Sequence, residues 1–235
     1  FGDKDTAVNK ASGIKEQDTL LLSTTDDFKG LGHSSTVLGP DMDSYYIVYH
    51  NLDKSSRRNL NFSRLSFNGA EMVADSVKPK NNPGFNMPEF ASYEGEGLEK
   101  NNDKYLSETA SGESFTAEFN TTGEGKMIFS YVDDNNYSYI EFKNNTITVN
   151  KIKNGSLKQV HSVPLIREYS TEVNHTFRLQ YNKGKMSLYF DTMEKAFDID
   201  AYFTGGKIGY FVDNSFAQIG YTAYSNVALG SSDKL

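Results

Sequence analysis

The sequence predicts an all-β protein in two parts: a partial β-propeller of one blade, followed by a two-sheet β-sandwich. Three observations predict it. Short runs of alternating apolar and polar residues recur along the chain, and no segment carries a convincing helical period. Turn residues such as Asn154-Gly155, Asn144-Asn145 and Gly205-Gly206 separate those runs at hairpin-like intervals. One stretch, from Lys78 to Pro88, holds three of the five prolines and no periodicity, and it interrupts the pattern once.

The first part, residues 1–83, reads as a short run of strands. Residues 19–24 form an apolar run between polar neighbours. Residues 33–38, 44–50 and 59–67 follow as three antiparallel strands, and Asn68-Gly69 turns the chain into 71–73. Three or four such strands cannot fold alone as a flat sheet. Their span matches one propeller blade of ~40–50 residues, and no second copy of the pattern is present.

The second part, residues 84–235, carries ten candidate strands: 114–120, 126–132, 137–142, 146–152, 157–163, 173–181, 185–190, 195–199, 207–212 and 217–227. Many short strands with turn signals between them predict a sandwich with one wet face on each sheet.

Composition narrows the function. The chain has 235 residues, 16 Phe, 15 Tyr, no Trp and no Cys. Thiolate chemistry, disulfides and cysteine metal sites are therefore excluded. A net charge of -7 with mixed signs argues against nucleic acid as a partner. No apolar run approaches the ~20 residues of a membrane-spanning helix. The chain begins on Phe1, which reads as processing or truncation, and an extracellular or cell-surface location is the expectation.

Three motifs bear on chemistry. They are Gly32-His33-Ser34-Ser35, Tyr46-Ile47-Val48-Tyr49-His50 and Arg57-Arg58-Asn59-Leu60. In order and spacing they resemble the last blade of the five-bladed propeller of glycoside hydrolase family 43. The part from Glu89 onward resembles the concanavalin-like, lectin-like sandwich appended to such propellers, through Gly205–Tyr210 and Tyr221–Asn226. The resemblance implies a hydrolase (a glycosidase) of plant-polysaccharide carbohydrate metabolism, of the β-xylosidase or α-L-arabinofuranosidase type. It implies that His33 lies beneath the sugar at the propeller axis and helps hold calcium or its water shell. It implies that Arg58 reaches the sugar, with Arg57 as the alternative, because neighbours in a strand face opposite ways.

The family's inverting chemistry needs a base Asp, an acid Glu and an orienting Asp, with the acid and base roughly 6.5–9.5 Å apart. Nothing ahead of Gly32 is long enough to supply them. The expectation is that no catalytic residue lies in this chain, which is inactive by itself. Its partners would be the missing propeller blades, of the same protein or of another chain, and an oligosaccharide or polysaccharide.

A second reading makes the sandwich a non-catalytic, lectin-like carbohydrate-binding module. Tyr131, Tyr137, Tyr139, Tyr210, Tyr221 and Tyr224 are candidates to stack on sugar rings, against the plainer reading of core or cross-strand packing. Glu96, in Tyr93-Glu94-Gly95-Glu96, and Asp233 could together hold a structural Ca²⁺, which takes oxygen ligands. His50 reads as structural, and His161 and His175 as solvent-facing.

Overall fold

The computed structural model describes residues 22, 29–68, 71–74, 84–200, 202–213 and 216–226. The fold is all-β, and no helix among the described residues is long and apolar enough to cross a membrane. The chain divides into two compact units. One holds Ser44–Asn86 together with the chain ahead of Pro40, and the other holds Pro40–Asp43 and Met87–Leu235.

The first unit is a four-stranded antiparallel meander. Its strands are β1 (Lys29–Leu38), β2 (Tyr45–Leu52), β3 (Arg58–Asn68) and β4 (Glu71–Ala74), paired in sequence order. Alternation in β2 and β3 puts Ile47, Tyr49 and Leu65 on one face, where they pack with Leu22, Leu31, Met72 and Ala74. The opposite face is closed by Tyr46, Phe62 and Phe85, with Phe62 and Phe85 stacked at 4.1 Å. Asn86 donates its backbone N–H to Tyr46 Oη at 2.8 Å and its amide to Ser44 Oγ at 2.9 Å. Phe85 and Asn86 therefore belong to this unit although they sit in the irregular stretch. The apolar run 19–24 lies outside the described residues apart from Leu22, and so does Gly69.

The second unit holds two sheets. The strands are β5 (Phe90–Tyr93), β6 (Leu98–Asn101), β7 (Lys104–Ser107), β8 (Phe115–Thr122), β9 (Gly125–Asp133), β10 (Asn136–Lys143), β11 (Thr146–Lys153), β12 (Ser156–Pro164), β13 (Asn174–Asn182), β14 (Lys185–Phe190), β15 (Met193–Asp200), β16 (Lys207–Phe211) and β17 (Gln218–Ser225). One sheet runs β12-β11-β10-β9-β16-β7-β6 and the other β15-β14-β13-β8-β17-β5. The main core draws on both. Met127, Phe129, Ile140, Phe142, Val149 and Tyr210 come from the first, and Phe115, Phe119, Phe177, Leu188 and Tyr224 from the second. This is a face-to-face sandwich. All ten strands read from the sequence of this part are present. Three short ones, β5 to β7, were not legible because each has four residues.

Two turns show why the hairpins close where they do. Asn144 and Asn145 have φ of 48° and 55°, and Asn154 and Gly155 have 51° and 74°. Paired left-handed residues match the twist of a tight hairpin, and Asn and Gly adopt them most readily.

Candidate functional site

The seven-stranded sheet has a core face and an outer face, and the outer face is the more informative. Along β10, Ile140 and Phe142 enter the core, so Tyr137, Tyr139 and Glu141 point the other way. On β9 strict alternation would place Tyr131 beside Phe129, in the core. A bulge prevents this. Ser130 has φ 53°, and the register to β16 shifts by one residue between Tyr131 and Ile128. Tyr131 therefore joins Ile128 and Leu106 in a separate outer cluster, flanked by Tyr137 and Phe211.

The rings form a continuous row. Tyr131 and Tyr137 have centroids 6.0 Å apart, Tyr137 and Tyr139 6.3 Å, and Phe211 lies 6.0 and 5.8 Å from Tyr137 and Tyr139. Tyr137 and Phe211 are half-buried and present surface, whereas Tyr131 and Tyr139 form the floor. Lys104 Nζ lies 5.2 Å from the Tyr137 centroid and 5.5 Å from that of Phe211. Lys126 Nζ lies 5.6 Å from Tyr139. Both ammonium groups are within cation–π range.

A polar network holds one end of the row. Asp134 Oδ1 accepts from Lys104 Nζ at 3.0 Å and from the Tyr131 hydroxyl at 3.0 Å, while Oδ2 accepts from the Asn102 amide at 3.1 Å. The hydrogen bond from Lys104 is the main reason the Asp134 carboxyl is held below the usual carboxylate value. Burial pushes Lys104 down, but its bonds to Asp103 and Asp134 outweigh this and raise it overall. Burial also raises the phenols of Tyr131, Tyr137 and Tyr139, so they stay protonated donors at neutral pH. A cavity of about 520 Å³ adjoins this end, lined by Asn101, Tyr131, Asp134, Gly206 and Lys207 among others. The Asp134 carboxylate and the phenols thus give the face hydrogen-bond acceptors and donors beside a row of tilted and edge-on rings.

The other sequence candidates fall as follows. Tyr210 and Tyr224 are core residues, and Tyr210 donates to or accepts from Thr222 Oγ1 at 2.6 Å. Tyr221 lies in β17, in the other sheet. Lys104, Lys126, Asp134 and Phe211 were missed. Lys104 sits in an unread strand, whereas the alternation Gly209-Tyr210-Phe211 could have revealed Phe211.

In the first unit, β2 and β3 pair His50 with Leu60 and Leu52 with Arg58, which puts His50 and Arg58 on one face. The His33 ring lies 5.2 Å from that of His50. Partial desolvation first, then the charges of Arg58 and His33, pull the His50 pKa below the ordinary value. His50, read as structural, thus stands in the same cluster as the two motif residues. Arg57 is instead engaged in its own turn, donating Nε to Asp53 Oδ2 at 3.0 Å. His33 has φ 50° inside a strand whose register shifts on both sides of Gly32.

Glu96 stands exposed between β5 and β6, and Asp233 lies outside the described residues. Among the described residues no three His, Asp or Glu side chains gather to hold an ion. The expectation for His175 is corrected. It is 3% exposed, not solvent-facing, and both ring nitrogens are engaged within the protein: Nε2 with Ser170 O at 2.7 Å and Nδ1 with Asp191 Oδ2 at 2.8 Å.

No family model matches the chain, and no curated protein matches it. Among solved structures it is similar to the carbohydrate-binding module CBM66 of Bacillus subtilis, with 18% identity and a TM-score of 0.40 over 55% of this chain and 82% of that one. It is similar to the GH43 protein BlXynB of Bacillus licheniformis at 13% identity and a TM-score of 0.37, covering 88% of this chain. It spans 56% of that protein's length. The galectin LEC-6 of Caenorhabditis elegans aligns at 7% identity and a TM-score of 0.40, over 57% of this chain and 95% of that chain.

Proposed function

We propose that the chain is a carbohydrate-binding module that seats an oligosaccharide on the outer face of the seven-stranded sheet. The single observation carrying this is the row Tyr131–Tyr137–Tyr139–Phe211, backed by the Asp134 network. Aromatic faces pack on the apolar side of a sugar ring, and fixed hydrogen-bonding groups beside them read its hydroxyls. Xylose-, arabinose- or galactose-containing plant polysaccharide outside the cell is the proposed target. Calorimetric titration of the full chain with xylo- and arabino-oligosaccharides tests the proposal. Binding that weakens at least tenfold in Tyr137→Ala and Phe211→Ala is expected, a loss of about 1.4 kcal/mol. Flat heats at millimolar sugar would overturn it.

A second reading makes the first unit the last blade of a family-43-type glycosidase whose catalytic carboxylates lie elsewhere. The shared face of His50 and Arg58, with His33 beside it, favours it. A guanidinium there would bond sugar hydroxyls. The encoded full-length protein, assayed on aryl β-xylosides and α-L-arabinofuranosides, should lose at least a hundredfold in kcat/KM in Arg58→Ala. A loss under threefold would refute the role of Arg58.

A further inference from the structure

We propose that a second cavity, at one end of the sandwich, is a subsite for a carboxylate-bearing sugar, a uronic acid unit. The cavity measures about 710 Å³, a volume suited to one or two sugar rings. It opens where β9, β10 and β11 meet the β13–β14 turn and the chain between β15 and β16. Tyr202 contributes aromatic surface to its wall.

Its charge is lopsided. Lys151, Lys153 and Lys183 line it, against one carboxylate, Glu113. Lys151 donates to the Tyr202 carbonyl and lies 5.5 Å from the Phe203 ring. An ammonium has three protons to give, so donors remain for a ligand. Burial, and then the like charges of Lys153 and Lys158, push the Lys151 pKa down. An anion in the cavity would relieve that repulsion.

An independent observation points to the same place. Ser130 is 3% exposed and lines this cavity, yet its Oγ has no hydrogen-bond partner among the described residues. A buried hydroxyl without a partner costs free energy, and a ligand oxygen would satisfy it. The wall behind is rigid, because the Tyr181 hydroxyl both donates to Phe203 O and accepts Phe203 N–H at 3.0 Å. Lysines supply the charge preference, Tyr202 the ring contact and Ser130 a fixed polar point.

The inference rests on the carbohydrate-binding reading in taking a sugar as ligand, while its preference for acid rests on the lysines alone. The test is calorimetric titration of the full chain with tri-galacturonate, with the same trimer fully methyl-esterified, and with sodium sulfate. The acid form should bind at least tenfold tighter than the ester, and that ratio should fall below threefold in Lys153→Gln/Lys183→Gln. Both lysines are exposed, so the variant should fold, which a thermal melt checks. Equal affinity for acid and ester would overturn the proposal. So would a ratio unchanged in the lysine variant, or sulfate binding as tightly as the trimer, which would mean a general anion site. Phe211→Ala separates the two readings. If it removes binding of acid and ester alike with no acid preference, the ring row stands and the cavity falls. If the acid preference persists and Phe211→Ala has no effect, the cavity stands and the ring row falls.

Discussion

Lys104 Nζ lies 3.0 Å from Asp134 Oδ1, and the same oxygen accepts the Tyr131 hydroxyl at 3.0 Å. One carboxylate thus ties a buried cation to the first ring of the aromatic row. Asp134→Asn should cost roughly 1–2 kcal/mol, because Lys104 would keep only Asp103 as a charged partner. The pH dependence has a definite sign. Asp134 lies below its ordinary 3.8 in the folded chain, so its contribution is full above that value and is lost as pH falls through the lowered one. Lys104 lies above its ordinary 10.5, so its contribution is present below that value and is lost as pH rises through the raised one. Melting temperatures of wild type and Asp134→Asn should therefore differ at neutral pH and converge in acid. A gap that persists in acid would refute the ion pair as its source.

Ser130 combines a left-handed backbone with an unpartnered buried hydroxyl. Glycine removes both penalties. Ser130→Gly should raise stability by about 1 kcal/mol in urea denaturation while weakening the binding of acid and ester trimers alike. Stabilisation with trimer affinity intact would show that the hydroxyl serves no ligand.

Gly209 sits between Leu106 and Ile128 in the seven-stranded sheet. A Cβ there would lie 1.8 Å from Tyr105 O and 2.9 Å from Tyr105 C, both backbone atoms that no rotamer change can move. Gly209→Ala should destabilise by roughly 1–3 kcal/mol or more and weaken sugar binding together with it, since Phe211 follows on the same strand. Wild-type denaturation midpoints would contradict the packing described.

His175 and Asp191 anchor the approach to β13. Nε2 donates to Ser170 O, Nδ1 meets Asp191 Oδ2, and Asp191 Oδ1 accepts Thr176 N–H at 2.9 Å. His175→Ala and Asp191→Ala should each cost about 1–3 kcal/mol, and the double variant less than their sum, because each single change already breaks the shared contact. Strict additivity in denaturant titrations would mean the two act separately.

The strands were legible because a hairpin needs only local signals. Asn154-Gly155 and Asn144-Asn145 specify tight turns, and the alternation of Tyr137-Ser138-Tyr139-Ile140 specifies a two-faced strand whatever lies around it. The short strands β5 to β7 escaped because four residues are too few to show a period. Asp233 and the run 19–24 lie outside the described residues, Leu22 excepted.

The sequence by itself determined the all-β class and the strand alternation that sends some tyrosines into the core and others away from it. Only the tertiary structure decided which tyrosines go which way. Tyr131 and Tyr210 look alike in sequence, yet a bulge at Ser130 sends one to the outer face while unbroken register keeps the other in the core. Lys104 and Asp134 are thirty residues apart in sequence and meet only because sheet order brings β7 and the β9–β10 turn together across β16. Strand periodicity is a property of neighbours along the chain. Bulges and strand order depend on residues that meet only after folding, so the aromatic row could not be read before the sheet was seen.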